Sequence, residues 1–155
     1  MGVVDLHLFD AVAVNLRALL ALDLGEPQVK AHRYGIKIWF GSATPTRERY
    51  EAQVINARHV PEATTLALEV GFHSEHPKKT DNAAVLAHLT SDEKTWRKAL
   101  GAEAVAGPFL GRPDDWRRVS ETWPDPDLGE EDLAFELAAR LTDYISALEP
   151  ILRTR

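Results

Sequence analysis

The apolar residues of this 155-residue chain change their spacing twice, and that change constrains the fold more than any other feature. Between residues 5 and 24 they recur at helical spacing, which predicts an N-terminal helix with one apolar face. They then alternate with polar residues in three stretches, 35–41, 49–56 and 64–73. Because a period of two sends successive side chains to opposite faces of a strand, these stretches predict an antiparallel meander.

Helical spacing returns in the second half of the chain. The segment 83–101 predicts one or two middle helices, and a long apolar stripe near the end predicts a C-terminal helix. That last helix is expected to end near Glu149, because Pro150 lacks the N–H that a helix interior requires. The stretch 116–123 fits either a strand or a short helix, and we favour the strand.

These elements predict an α+β fold in one domain, residues 1–155. An antiparallel sheet of three to four strands packs against the N-terminal helix, one or two middle helices and the long C-terminal helix. The expected order is α-β-β-β-α-α-β-α.

Composition excludes several function classes. The chain has no cysteine, which rules out disulfides, thiolate catalysis and sites built on thiolate ligands. It carries 24 acidic and 18 basic side chains, and the net charge of −6 disfavours broad binding to nucleic acid. No Gly-rich phosphate loop, GxSxG or HExxH motif is present. No membrane span is expected, and a cytoplasmic location is the simplest expectation.

One face of the meander carries the candidate chemistry. The polar and aromatic residues assigned to it by alternation are Lys37, Trp39, Glu51, Gln53, Glu69 and His73. Carboxylates beside a lysine and a histidine can do acid–base work, and Glu69 with His73 could ligate a divalent metal. The alternative is a solvated strand face with ordinary charge pairs, which base rates favour. The register, and hence the contact between Glu51 and Glu69, is left open.

The leading hypothesis is a non-enzymatic binding or regulatory module. Its contacts to a ligand or protein partner would be Trp39 and His73 on the sheet face, or Phe135 on the last helix, which lies opposite the apolar stripe. A homodimer, formed by edge-to-edge strand pairing or by pairing of the N-terminal helices, is a third hypothesis.

The order helix–strand–strand–strand–helix–strand resembles the core of PD-(D/E)XK nuclease-like domains. The resemblance implies a divalent-metal-dependent hydrolase in which Glu51 and Glu69 hold the metal and a lysine helps to activate water. Two positions after Glu69, where that family has its lysine, this chain has Gly71. Lys37 would therefore supply the positive charge, and a degenerate, non-catalytic relative fits equally well.

Overall fold

The computed structural model describes residues 7–41 and 46–155. This part of the chain forms four α-helices and six strands. In chain order they are α1 (Leu8–Leu19), β1 (Gln28–His32), β2 (Gly35–Trp39), β3 (Glu48–Asn56), β4 (Leu66–Ser74), α2 (Lys79–Thr90), α3 (Glu93–Leu100), β5 (Val105–Phe109), β6 (Arg112–Pro124) and α4 (Leu133–Leu152). The predicted turn after β2 lies largely outside the described residues.

All six strands form one antiparallel sheet in the order β1-β2-β3-β4-β6-β5. The α+β class and the central β2-β3-β4 meander are confirmed, and residues 116–123 are part of a strand. The predicted number of strands was wrong, because β1 and β5 had not been expected. In β1 only Val29 and Ala31 are apolar, and β5 contains Gly107 and Pro108, which indicate a loop in a sequence pattern.

The apolar core lies between one face of the sheet and the helices. Helix α4 packs across β3 and β4, and α1 packs beside it over β1 and β2. Helix α2 packs against β6 and α4, and α3 packs against α4. The sheet residues that point into this core are Ile36, Ile38, Tyr50, Ala52, Leu68, Val70, Phe72 and Val119. Among the described residues, no helix is both long and apolar enough to cross a membrane.

Helix α4 continues through Pro150 to Leu152, so the expected end near Glu149 was wrong. Pro150 has no N–H to donate to the carbonyl of Ser146, which costs the helix one hydrogen bond. The last turn nevertheless buries Ile151 and Leu152, which are 8% and 4% exposed. Burying an aliphatic side chain contributes about 1.5–3 kcal/mol, which is more than the roughly 1 kcal/mol of a typical hydrogen bond.

Strands β4 and β6 approach each other closely at Gly71. Its φ of 153° is rare for residues with a side chain. A Cβ atom added there would collide with the backbone of Val119 and Ser120 in the neighbouring strand. The glycine therefore allows the two strands to meet tightly beside the polar face of the sheet.

The substitution Gly71→Ala is expected to lower the free energy of unfolding by about 2–4 kcal/mol, because it adds both backbone strain and a backbone collision. Urea unfolding monitored by circular dichroism measures the change. Gly107→Ala in β5 is the matched control, since an added Cβ there meets nothing within 4 Å. Equal stability of the two variants would contradict the assigned contact between β4 and β6.

Candidate functional site

The polar face of the sheet has a defined register. Lys37 lies opposite Glu51, Glu51 lies opposite Gly71, and Gly71 lies opposite Ser120, so one row crosses β2, β3, β4 and β6. Glu69, two positions before Gly71 on β4, shares this face. The structure therefore brings the two glutamates of the sequence hypothesis onto adjacent strands in neighbouring rows.

The centre of this face is buried, so its interpretation as a solvated strand surface was wrong. Glu51, Glu69 and His73 are 3%, 1% and 0% exposed. The ring of Phe109 in β5 packs edge-on against His73 with ring centroids 4.6 Å apart. Trp116 in β6 packs in turn against Phe109 at 5.2 Å. The β5–β6 hairpin thus places aromatic rings over the histidine.

Both ring nitrogens of His73 face carboxylates. Nδ1 lies 3.1 Å from Oε1 of Glu51, and Nε2 lies 3.0 Å from Oε2 of Glu69. A carboxylate can only accept, so this geometry favours an imidazolium with a proton on each nitrogen. Burial by itself lowers the pKa of His73, but the charge of Glu69 and the hydrogen bonds to both carboxylates outweigh it and raise the pKa to about 10.

Glu69 is held by three side chains. Its Oε2 also accepts a hydrogen bond of 2.7 Å from the hydroxyl of Ser120, and its Oε1 accepts one of 3.0 Å from Nε2 of Gln53. Burial raises the pKa of this carboxyl. The charge and hydrogen bond of His73, together with the bonds from Ser120 and Gln53, override that effect and lower the pKa to about 2.

Arg49 and Glu75 complete the network, and the sequence hypothesis included neither. Nε of Arg49 lies 3.0 Å from Oε1 of Glu51, and its terminal nitrogen lies 2.6 Å from Oε2 of Glu75. Burial raises the pKa of Glu51, but the hydrogen bond and charge of His73 and the charge of Arg49 bring it below its usual range. Arg49 lies two positions before Glu51 in β3 and therefore shares its face, so a signal for it existed, whereas Glu75 follows the predicted strand end.

Three atoms of this network have the spacing of metal ligands. One carboxylate oxygen each of Glu51 and Glu75 and one ring nitrogen of His73 all lie within 4.8 Å of one another. The guanidinium of Arg49 already contacts both carboxylates, and the imidazolium form of His73 has a proton on each ring nitrogen. A metal ion would have to displace both, so the donor set fits a divalent ion only if Arg49 moves away and His73 loses a proton.

Of the three residues predicted to contact a partner, Trp39 and Phe135 lie apart from the network, and His73 lies at its centre. His73 is buried, so it offers no direct contact to a docking partner in this structure. Phe135 on α4 is 53% exposed. Trp39 follows Lys37 on β2, and its indole N–H is buried without an acceptor within the described residues. Three surface cavities of the described chain are lined by residues outside the Glu51–His73–Glu69 network.

The β1–β2 hairpin carries a concentration of basic side chains at the edge of the sheet. Lys30 lies directly opposite Lys37, and Gln28 lies opposite Trp39, so these four side chains share one face. The segment 28–47 contains no Asp or Glu, although the chain as a whole has 24. The hairpin is therefore a locally basic surface on an acidic protein.

Comparison of the chain with family models, with curated proteins and with solved structures gave no match. The functional candidates therefore rest on the geometry of this chain alone.

The His73 network predicts a stability plateau between about pH 4.5 and 6.5. The raised pKa of His73 means that its contribution is complete below the unfolded-state pKa of about 6.5 and is lost as pH rises to about 10. The lowered pKa of Glu69 means that its contribution is complete above about pH 4.5 and is lost as pH falls towards 2.

Urea unfolding of wild type and His73→Gln between pH 6 and 10 isolates the imidazolium, because other titrating groups are common to both proteins. The difference in unfolding free energy is expected to shrink by at least about 2 kcal/mol over this range. His32→Gln, which changes an exposed histidine at the end of β1, should keep the wild-type pH profile. A constant difference for His73→Gln would show that its ring is not charged in the fold.

Proposed function

We propose that this chain is a non-enzymatic binding module that docks an acidic, extended segment of a partner protein along the outer edge of β1. Two observations together carry the proposal: no described strand pairs with the outer edge of β1, and residues 28–47 include basic side chains but no acidic ones. The proposal is that the partner segment adds to the sheet as a seventh strand.

The backbone of β1 supports strand addition. β1 ends the sheet on one side, and no other described strand pairs with its outer edge. Its residues alternate between exposed and half-buried positions, with Gln28, Lys30 and His32 exposed. An edge of this kind presents backbone N–H and C=O groups that an extended chain can pair with.

The side chains support an acidic partner. Like charges directly opposite each other in a sheet are unfavourable, yet Lys30 and Lys37 form such a pair. Lys37 also lies opposite Glu51 on its other side, whereas Lys30 forms no salt bridge with a described residue. A carboxylate placed beside Lys30 on an added strand would relieve this repulsion, and Arg33 at the hairpin turn adds further positive charge.

The closed centre of the polar face supports a non-enzymatic role. A catalytic acid or base has to reach its substrate, directly or through one water molecule. Glu51, Glu69 and His73 are buried, and their charges are already paired with one another and with Arg49. This arrangement suits a structural ion network better than a reaction centre.

The direct test is titration of the protein with an eight-residue peptide that alternates glutamate and threonine and is blocked at both ends. Lys30→Glu is expected to weaken binding about 5- to 10-fold, because it replaces an attraction with a repulsion. Isothermal titration calorimetry at low salt measures the change, and added salt should weaken wild-type binding. Lys94→Glu on α3 makes the same charge change elsewhere and should leave affinity unchanged.

Two further ligands separate strand addition from general charge attraction. The same peptide with alternate backbone nitrogens methylated should not bind, because it cannot form the strand ladder. A single-stranded oligonucleotide that bound more tightly than the peptide would overturn the choice of a protein partner. No peptide binding at all would leave Lys30 as an edge charge that prevents unwanted strand pairing.

A divalent-metal-dependent hydrolase of nuclease-like type is the second candidate. The observation in its favour is the convergence of Glu51, His73 and Glu75 at metal-ligand spacing, with Lys37 opposite Glu51 on the next strand. Under this alternative Glu51 and Glu69 would be the catalytic acids, and Arg49 would have to swing away when the ion binds.

A calorimetric titration with Mg²⁺, Mn²⁺ and Zn²⁺ decides between the two candidates. If the protein is a binding module, the wild type should show no saturable metal binding, because Arg49 and the proton on His73 already neutralise the carboxylates. Saturable binding that is lost in Glu51→Gln and kept in Glu62→Gln, an exposed control, would favour the hydrolase. Cleavage of a phosphodiester substrate with the same metal and mutant dependence would establish it.

A further inference from the structure

Helix α1 has an exposed apolar side as well as a buried one. The side that packs on α4 and the sheet contains the buried residues Leu8, Phe9, Val12 and Leu16. The outer side carries Val14, which is 72% exposed, between the exposed Ala11 and Ala18. Leu22, in the short turn after α1, is 96% exposed. Of the six large apolar side chains that are exposed in the described part of the chain, three lie between residues 14 and 22, so exposed apolar surface is concentrated here.

Two opposite charges border Val14. Because successive residues of an α-helix are turned by about 100°, Asp10 and Arg17 lie on one flank of Val14. Ala11 and Ala18 lie on the other flank. With a rise of about 1.5 Å per residue, Asp10 is about 6 Å before Val14 along the helix axis and Arg17 is about 4.5 Å after it. The outer side of α1 therefore has an apolar centre, a negative end and a positive end.

This surface is complementary to itself when a second copy is turned end for end. In an antiparallel pair of α1 helices with a two-fold axis at Val14, the position of every residue along the axis is reversed in the second copy. Arg17 of the second copy then lies within about 1.5 Å, along the axis, of Asp10 of the first, and on the same flank. Ala11 and Ala18 meet in the same way on the other flank. One symmetric contact thus pairs both charges twice and covers Val14.

The charges on this surface are available to a second copy. The carboxylate of Asp10 lies 3.7 Å from Nδ1 of His7, and the guanidinium of Arg17 lies 3.5 Å from Glu26, with all four side chains exposed. Exposed pairs of this kind contribute little to stability, so exchanging them for pairs between copies has a small cost. A parallel pair in register would instead place the two Asp10 carboxylates at one height and the two Arg17 side chains at another.

We propose that a second copy of this chain packs antiparallel on α1 and forms a two-fold homodimer centred on Val14, in which Asp10 of each copy pairs with Arg17 of the other. This assigns a geometry to the hypothesis of paired N-terminal helices. The dimer is independent of peptide docking at β1, because it uses side chains of another element. A contact of about three helical turns is small for a specific interface, so the dimer should dissociate on dilution.

Sedimentation equilibrium of the full-length protein between about 10 μM and 1 mM measures the association, and the wild type should pass from monomer to dimer as concentration rises. Val14→Lys places two ammonium groups face to face at the axis and should weaken association at least about 10-fold. Val105→Lys in β5 makes the same change at another exposed valine and is the matched control. A wild type that stays monomeric throughout, or a dimer that Val14→Lys leaves intact, would overturn the proposal.

Charge reversal tests the pairing of Asp10 with Arg17. Asp10→Lys and Arg17→Asp should each weaken association about 10-fold, because each brings like charges together at two symmetric positions. An equimolar mixture of these two variants should associate about as tightly as the wild type, since opposite charges then face each other at both positions. A mixture that associates no better than its separate components would contradict the assigned pairing.

Thermal unfolding of each charge variant shows whether it remains folded, because both reversals oppose the dipole of α1. If either reversal unfolds the protein, Asp10→Asn and Arg17→Gln remove the charges without reversing them. Each of these milder changes should weaken association about 3-fold. A dimer as tight as the wild type in both neutral variants would contradict the pairing.

Disulfide crosslinking tests the orientation, since the chain has no cysteine of its own. A mixture of Ala11→Cys and Ala18→Cys under mild oxidation should form disulfide dimers faster than either variant alone, because only the antiparallel pair brings these two positions together. Glu62→Cys, at an exposed position outside α1, replaces Ala11→Cys in the control mixture. Equal rates in the test and control mixtures would contradict the antiparallel arrangement.

Discussion

The buried contact of His73 with Glu51 and Glu69 is the interaction on which the polar half of the sheet depends. Taking charges out of water costs several kcal/mol for each ion, and the cost is offset only when opposite charges and hydrogen bonds satisfy every group. Here Arg49, Ser120 and Gln53 supply the remaining partners. A network whose members are all satisfied in this way disfavours alternative structures that would leave one of these charges unpaired.

Strand register is the property that this network can specify. A slip of one residue between neighbouring strands would move His73 to the apolar face and separate it from both carboxylates. Apolar side chains on the core face resist such a slip as well, because the same slip would move Leu68, Val70 and Phe72 of β4 out of the core. Gly71 serves the same arrangement, because it lets β6 come close enough for the hydroxyl of Ser120 to reach Glu69.

Under the proposed binding function, recognition would fall to the periphery of the fold, because the centre of the polar face is neutralised and covered. The β1–β2 hairpin at one edge of the sheet is basic. An edge strand presents backbone N–H and C=O groups that the sheet itself does not pair. Phe135 is a further exposed aromatic residue on α4.

Residue periodicity was sufficient to predict the helices at both ends, the three central strands and the side of the sheet on which Lys37, Glu51, Glu69 and His73 lie. Periodicity reports which face a side chain occupies, because the strand backbone alternates whatever surrounds it. It does not report what covers that face. Phe109, which packs against His73, lies in a segment with Gly107 and Pro108 whose local pattern indicates a loop.

The sequence by itself thus determined the α+β class, the order of the main elements and the separation of polar from apolar faces, since these follow from local spacing. Only the tertiary structure decided the six-strand sheet order, the contact of Glu51 and Glu69 through one imidazole, and the recruitment of Arg49 and Glu75. Those outcomes depend on pairings between residues far apart in the chain. A buried charge is stabilised only by partners brought to it in three dimensions, and no local pattern records which partners those are.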